Sequence, residues 1–176
     1  MLSDLAPFRR DAVWVTVSGH DFLIPWRPAG EWMAHADRLS VLAARLLDPE
    51  QREVLADLLL ADPAARDELR RESYRILSAA TGRRWWEASK LMASAASPET
   101  LGRLTLAGVD PWSRSIGEWV AAVYALYVKG ADAKQRLRTD FEISIPPQGY
   151  EDAWDDDGSG DDPNAVADAM AAMMGG

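Results

Sequence analysis

No cysteine occurs in this chain of 176 residues, so disulfides, thiolate zinc sites and thiol nucleophiles are excluded at once. Histidine is nearly as scarce. His20 and His35 are the two present, and a distant pair without cysteine makes a poor transition-metal site. No window comes near eighteen uninterrupted apolar residues, so no membrane span is expected. The N-terminus, MLSDLAPFRRD, places its charges after a short apolar stretch. That is the reverse of a secretory signal, and the expected compartment is a cytoplasm. Basic residues are not concentrated either: Arg9/Arg10, Arg70/Arg71 and Arg83/Arg84 are scattered pairs in a chain of formal charge −9. A nucleic-acid surface needs clustered cations to release counterions, so no nucleic acid is expected as a partner. There is no glycine-rich phosphate loop and no carboxylate pair that the sequence places in a cleft, which removes the ordinary grounds for nucleotide binding or glycosidase-type catalysis. No cofactor is expected.

What is present is unevenly spread. Eight of the 28 acidic residues (Glu151, Asp152, Asp155, Asp156, Asp157, Asp161, Asp162 and Asp168) fall in the last 27 positions, which hold no Lys or Arg. Twenty acids against nineteen bases remain in the first 149 residues, so the body is nearly neutral and the tail is an anion. A self-repelling, solvated segment attached to a compact domain is the layout of an interaction arm rather than a catalytic lobe. Asp155, Asp157, Ser159 and Gly160 match positions 1, 3, 5 and 6 of an EF-hand loop, but Val166 stands at position 12, where the bidentate Glu belongs, and Asp162 at the normally apolar position 8. No metal site is expected there. Beyond it, PNAVADAMAAMM (163–174) spaces Val166, Met170 and Met173/Met174 as one helical face. An isolated helix that short is marginal, so the segment is expected to be disordered alone, or helical when its methionines meet an apolar partner.

The body divides into a small β element and a series of helices. AVWVTV (12–17) and Phe22-Leu23-Ile24 flank Ser18-Gly19-His20-Asp21, which supplies turn chemistry, and Pro25 closes the second run, giving a hairpin over 11–25. Two strands alone are marginal, so the hairpin must lie on helices or on another subunit's strand. From Pro28 the period becomes helical: Trp32, Leu39, Leu42/Ala43 and Leu46 predict one helix to about Leu47, ended by Asp48-Pro49. A short helix carries Val54, Leu55, Leu58 and Leu59 up to Asp62-Pro63. The next places Leu69, Ile76, Leu77 and Ala80 inward and stops at Thr81-Gly82. Arg83 to Ala96 forms a fourth, and Ser97-Pro98 opens a fifth that ends at Gly108. Ser115-Ile116-Gly117-Glu118 has capping-box spacing ahead of the Trp119, Val123, Leu126, Tyr127 stripe. Asp132 caps a last helix to about Phe141, after which ISIPPQG (143–149) is the exit from the domain. The expected fold class is mainly α: a compact helical domain (11–149) with a small N-terminal β-hairpin, an N-terminal arm (1–10) and a disordered acidic tail (150–176).

Two constellations invite a chemical reading. Ser18, His20 and Asp21 are close in sequence, but neighbours on a strand alternate faces, and a turn explains them without catalysis. The eight tryptophans are more informative. Trp85 and Trp86 lie about 100° apart on one helix and cannot face the same core. One of them therefore faces a second layer or a partner, unless the whole helix is buried on both sides. Trp154 sits in a polar arm with little core to join, so it folds back on the body or anchors another protein.

The series GHDFLIP, GRRWWEASKLMASA, GVDPWSRSIGEWVAAVYALYVKGADAKQRLRTDFEISIPPQG and an acidic tail resembles the tail assembly chaperones of long-tailed phages infecting actinobacteria. The likeness spans about 11–149, and its most specific parts are Gly108-Val109-Asp110-Pro111, WVAAVYALY (119–127) and the exit with its Pro-Pro-x-Gly close. The resemblance implies a non-enzymatic role in the host bacterial cytoplasm. Such a chaperone binds the tape measure protein, keeps it soluble, promotes assembly of the major tail tube protein around it, and is absent from the mature virion. It also implies a longer, frameshifted form of the same protein as a partner, with this chain as the short form; self-association is a further expectation. With aromatic surface as the physical guide, Trp85, Trp86, Met92, Trp119, Tyr127, Trp154 and Met170 are the expected partner-binding residues. The alternative is an acidic regulator that imitates nucleic acid and occupies a basic protein.

Overall fold

The structure is a computed structural model and describes residues 12–150. The arm (1–10) and the tail beyond Tyr150 lie outside the described residues. The described part is mainly helical with one antiparallel hairpin. No described helix is long and apolar enough to cross a membrane.

The hairpin joins β1 (Val13–Val17) to β2 (His20–Ile24), with Val17 opposite His20 and Val13 opposite Ile24. Ser18 (φ 49°) and Gly19 (φ 75°) are both left-handed, as a two-residue type I′ turn requires. Because two residues suffice, His20 and Asp21, expected in the turn, instead begin β2. Val15, Val17, Phe22 and Ile24 are buried on the inner face, while Trp14, Thr16 and Asp21 stand outside. The helix beneath is α4 (Ala65–Thr81), the central element, which touches β1, α2 (Leu42–Leu46), α5 (Trp85–Ala95) and α7 (Ile116–Val128). Its buried stripe includes Leu69, Ile76 and Leu77, and Gly82, at φ 65°, ends it with a left-handed cap in which its N–H donates to Ser78 O at 2.9 Å.

The single helix expected over 28–47 is three pieces: α1 (Ala29–Met33), a 3₁₀ turn (Leu39–Val41) and α2. Distant partners satisfy the helix starts. Ser73 of α4, fully buried, accepts from Ala43 N–H at 3.1 Å while donating to Leu69 O at 2.8 Å. Ala29 and Gly30 N–H donate to the carbonyls of Arg114 and Pro111. Tertiary hydrogen bonds therefore override a stripe that local spacing reads as continuous.

Next to α2, α3 (Pro49–Ala61) buries Leu55. α6 (Pro98–Leu106) starts at Ser97, whose side chain accepts from Thr100 N–H. It ends with Val109 N–H on Leu104 O at 2.9 Å around left-handed Gly108. The capping box of Ser115 and Glu118 is formed at α7: Ser115 N–H donates to Glu118 Oε2 at 2.7 Å and Glu118 N–H to Ser115 Oγ at 3.2 Å. α8 (Ala133–Ser144) has a second box from Asp132 and Gln135. It runs three residues past the expected end, because Pro146 constrains only its predecessor Ile145 to leave the helical region.

Candidate interaction surface

Trp86, Met92 and Trp119 are each 4 % exposed or less. They are core residues and present no surface to a partner, which corrects the expectation for these three. The reason is geometric: α5 lies under both α7 and α8, so its two flanks are covered and the adjacent pair Trp85-Trp86 meets a layer on each side. Trp86 Nε1–H donates to Ser144 O at 2.9 Å, tying α5 to the end of α8. Trp85, half-buried, is stacked on Tyr74 with centroids 4.0 Å apart and planes within 7°. Tyr150 sets its ring edge-on to both, at 5.1 Å from Trp85 and 6.0 Å from Tyr74. Burial, then the hydrogen bond with Tyr150, pushes the Tyr74 hydroxyl up to about 12.

Lys90 completes this clamp. Its Nζ donates to the carbonyls of Glu142, Ile143 and Ile145 at 2.8, 3.1 and 2.6 Å, where the last turn of α8 leaves acceptors open and the helix dipole favours a cation. Burial lowers its pKa. On the same side, Tyr124 O–H donates to Asp140 at 2.6 Å and the Arg83 guanidinium lies 4.3 Å over the Tyr124 ring. The Tyr150 ring, last of the described residues, is thus held against α4 and α5.

Tyr127 is 45 % exposed at the end of α7, the one proposed partner residue found on open surface among those described. Trp154 and Met170 lie outside the described residues. Sequence reasoning passed over other outward apolar side chains: Leu106 (91 % exposed), Trp112 (63 %) and Leu101 on or after α6, Trp14 (60 %) on β1, and Leu60 on α3; Val54, grouped by its period with Leu55, Leu58 and Leu59, is exposed as well. Trp112 has one face down. A Cβ at Gly30 would lie 2.7–2.8 Å from its ring atoms, so the indole rests on the glycine while its other face meets solvent. The signal available for Leu60 and Leu106 was that each is an apolar residue off its helix's buried stripe.

Among the described residues, the Ser18, His20 and Asp21 side chains do not converge on one another. Ser18 Oγ donates to Asp62 at 2.9 Å, Asp21 accepts from Thr16 at 2.7 Å, and His20 is exposed, so the three are not a nucleophile, base and orienter. No group of three or more potential metal ligands exists among the described residues. A cleft of about 320 Å³ lies between the hairpin, Trp26, Trp32 and the start of α7; of its lining residues Arg27 alone is ionisable, and Arg27 is already bonded to Asp48 at 2.6 Å. No known family, curated protein or solved structure matches the chain.

Proposed function

We propose that this chain is a tail assembly chaperone, which works by binding another polypeptide rather than by catalysis. The observation that carries the reading is that large apolar side chains, Leu101, Leu106, Trp112 and Tyr127, stand exposed on α6, the loop after it and α7. Large side chains of this kind are the usual anchors of amphipathic helices. The client of such a surface is the tape measure protein, a long helical polypeptide that would otherwise aggregate, and the site of action is the host bacterial cytoplasm, with release before the virion is complete. Of the segments that carry the resemblance most specifically, WVAAVYALY (119–127) includes Tyr127, and GVDP (108–111) immediately precedes Trp112.

The eight tail carboxylates support a second reading, in which the anion occupies a basic partner as a nucleic-acid mimic. Removing residues 151–176 leaves Tyr150 in its clamp and separates the two. With the tail removed, co-expression is expected still to keep tape measure fragments in the soluble fraction and to co-purify with them. Loss of all client binding on deletion, with the body folded by circular dichroism, would favour mimicry and refute the chaperone reading.

A further inference from the structure

The two edges of the hairpin are treated differently. In a hairpin closed by a two-residue turn, Val17 and His20, Val15 and Phe22, and Val13 and Ile24 exchange ladder bonds, so Trp14 and Thr16 turn their backbone groups to one outer edge and Asp21 and Leu23 theirs to the other. On the β1 edge, side chains of α4 take these groups. Thr16 N–H donates to Glu72 at 3.3 Å, Ser18 N–H to Glu68 at 2.6 Å, and Arg75 donates to Trp14 O at 2.6 Å. Glu72 and Arg75 are themselves paired at 2.7 Å. On the β2 edge, the backbone N–H and C=O of Asp21 and Leu23 have no partner among the described residues. Exposed strand edges are templates for pairing, and proteins ordinarily block them; here α4 caps Thr16 N–H and Trp14 O on one edge, and no described residue caps the other.

We propose that the open edge of β2 pairs antiparallel with β2 of a second copy of this chain, forming a four-stranded sheet across a two-fold axis at Phe22. The register follows from the strand itself. Setting Asp21 opposite Leu23 of the second copy, and Leu23 opposite its Asp21, makes two hydrogen-bonded pairs and four bonds. A shift one way sets the two Asp21 carboxylates against each other, a repulsive cross-strand pair, and brings left-handed Gly19 into the ladder. A shift the other way brings in Pro25, which has no N–H to give. One register therefore fits, and it is self-complementary, as an isologous contact must be. Five-residue strands bury little area, so the dimer is weak and reversible, with a dissociation constant on the order of 10–100 μM.

Sedimentation of the full chain across a concentration series tests this, alongside Leu23→Pro and Leu23→Ala. The proline removes the outward donor without touching a hairpin bond; the alanine keeps it. Dimerisation is expected in the parent, with Leu23→Pro weakening it at least tenfold and Leu23→Ala less than about threefold. Should the proline variant fail to fold, amide exchange in the parent decides. Asp21 and Leu23 amides are expected to slow as concentration rises, with Thr16 and Ser18 already protected in the monomer. A chain that stays monomeric throughout, a dimer indifferent to Leu23→Pro, or Asp21 and Leu23 exchange independent of concentration would overturn the proposal.

Discussion

Tryptophan does opposite work on two sides of this molecule. Around α5, Trp85, Trp86 and Trp119 are drawn into a layered aromatic and apolar mass, with Tyr74 stacked on Trp85, Tyr150 edge-on to both, and Lys90 holding the end of α8 in place. On the loop after α6 and on β1, Trp112 and Trp14 keep a face or more in solvent. The residue type is the same; what differs is whether a second element lies over it. The lesson is that an aromatic surplus indicates binding surface only after the layers are counted.

The contrast can be broken first at its buried end. Trp119→Ala empties a ring-sized space in the core and is expected to cost about 3–5 kcal/mol, read as a large fall in the thermal midpoint; a fall no greater than a surface substitution produces would contradict the assignment. Lys90→Met comes next, at about 1–3 kcal/mol. It strips a charged donor from three carbonyls at the end of α8, and in a Trp85→Phe background the red shift of total tryptophan emission seen on Lys90→Met should shrink, since Trp85 beside Tyr150 is its source. Unchanged emission would mean that the clamp does not depend on Lys90.

The outward side is tested by coupling. In the parent, a methyl at Gly30 collides with the Trp112 ring, so Gly30→Ala should destabilise. With Trp112→Ala already in place it should be neutral or stabilising, since alanine is the better helix former by about 1 kcal/mol. A double-mutant cycle is expected to return a coupling of about 1–2 kcal/mol, and a value near zero would show that Trp112 does not rest on Gly30.

Trp14 stands on an edge held by acid-sensitive groups. The bond from Arg75, ahead of that from Thr16 N–H, lowers the Glu72 pKa from its ordinary value despite burial. The folded state then binds fewer protons than the unfolded state, so this stabilisation is present above the ordinary pKa near 4.5 and is lost as pH falls through the lowered folded value. Glu72→Gln should flatten the acid limb of the stability profile below about pH 5, by the smallest of these effects. An identical acid limb in the variant would exclude the carboxylate.

Much of this arrangement was legible in the chain. Ser115 with Glu118 and Asp132 at its helix start are local signals, satisfied within three residues, and the hairpin was legible too, though its turn is Ser18-Gly19 and not the four residues to Asp21. The break between α1 and α2 was not legible, because it depends on Ser73, thirty positions from the amide it serves. Nor was the fate of the Trp85-Trp86 pair: the period set Trp85 with Met92 and Ala96 and left Trp86 beside them, yet Trp86 is the more buried of the two, because the end of α8 lies over it. The exposed set was hidden for a related reason, since Leu106 and Trp112 belong to no stripe, and a sequence pattern marks what is buried better than what is displayed.

The central claim is that outward apolar side chains, and not the buried aromatic mass, hold the client. Calorimetric titration of a helical tape measure segment into the parent and into a Leu101→Ser, Leu106→Ser, Tyr127→Ser variant addresses it directly. Near-unchanged melting of the variant is expected, with at least a tenfold loss of affinity, which corresponds to about 1.4 kcal/mol. Equal affinity for both proteins would contradict it.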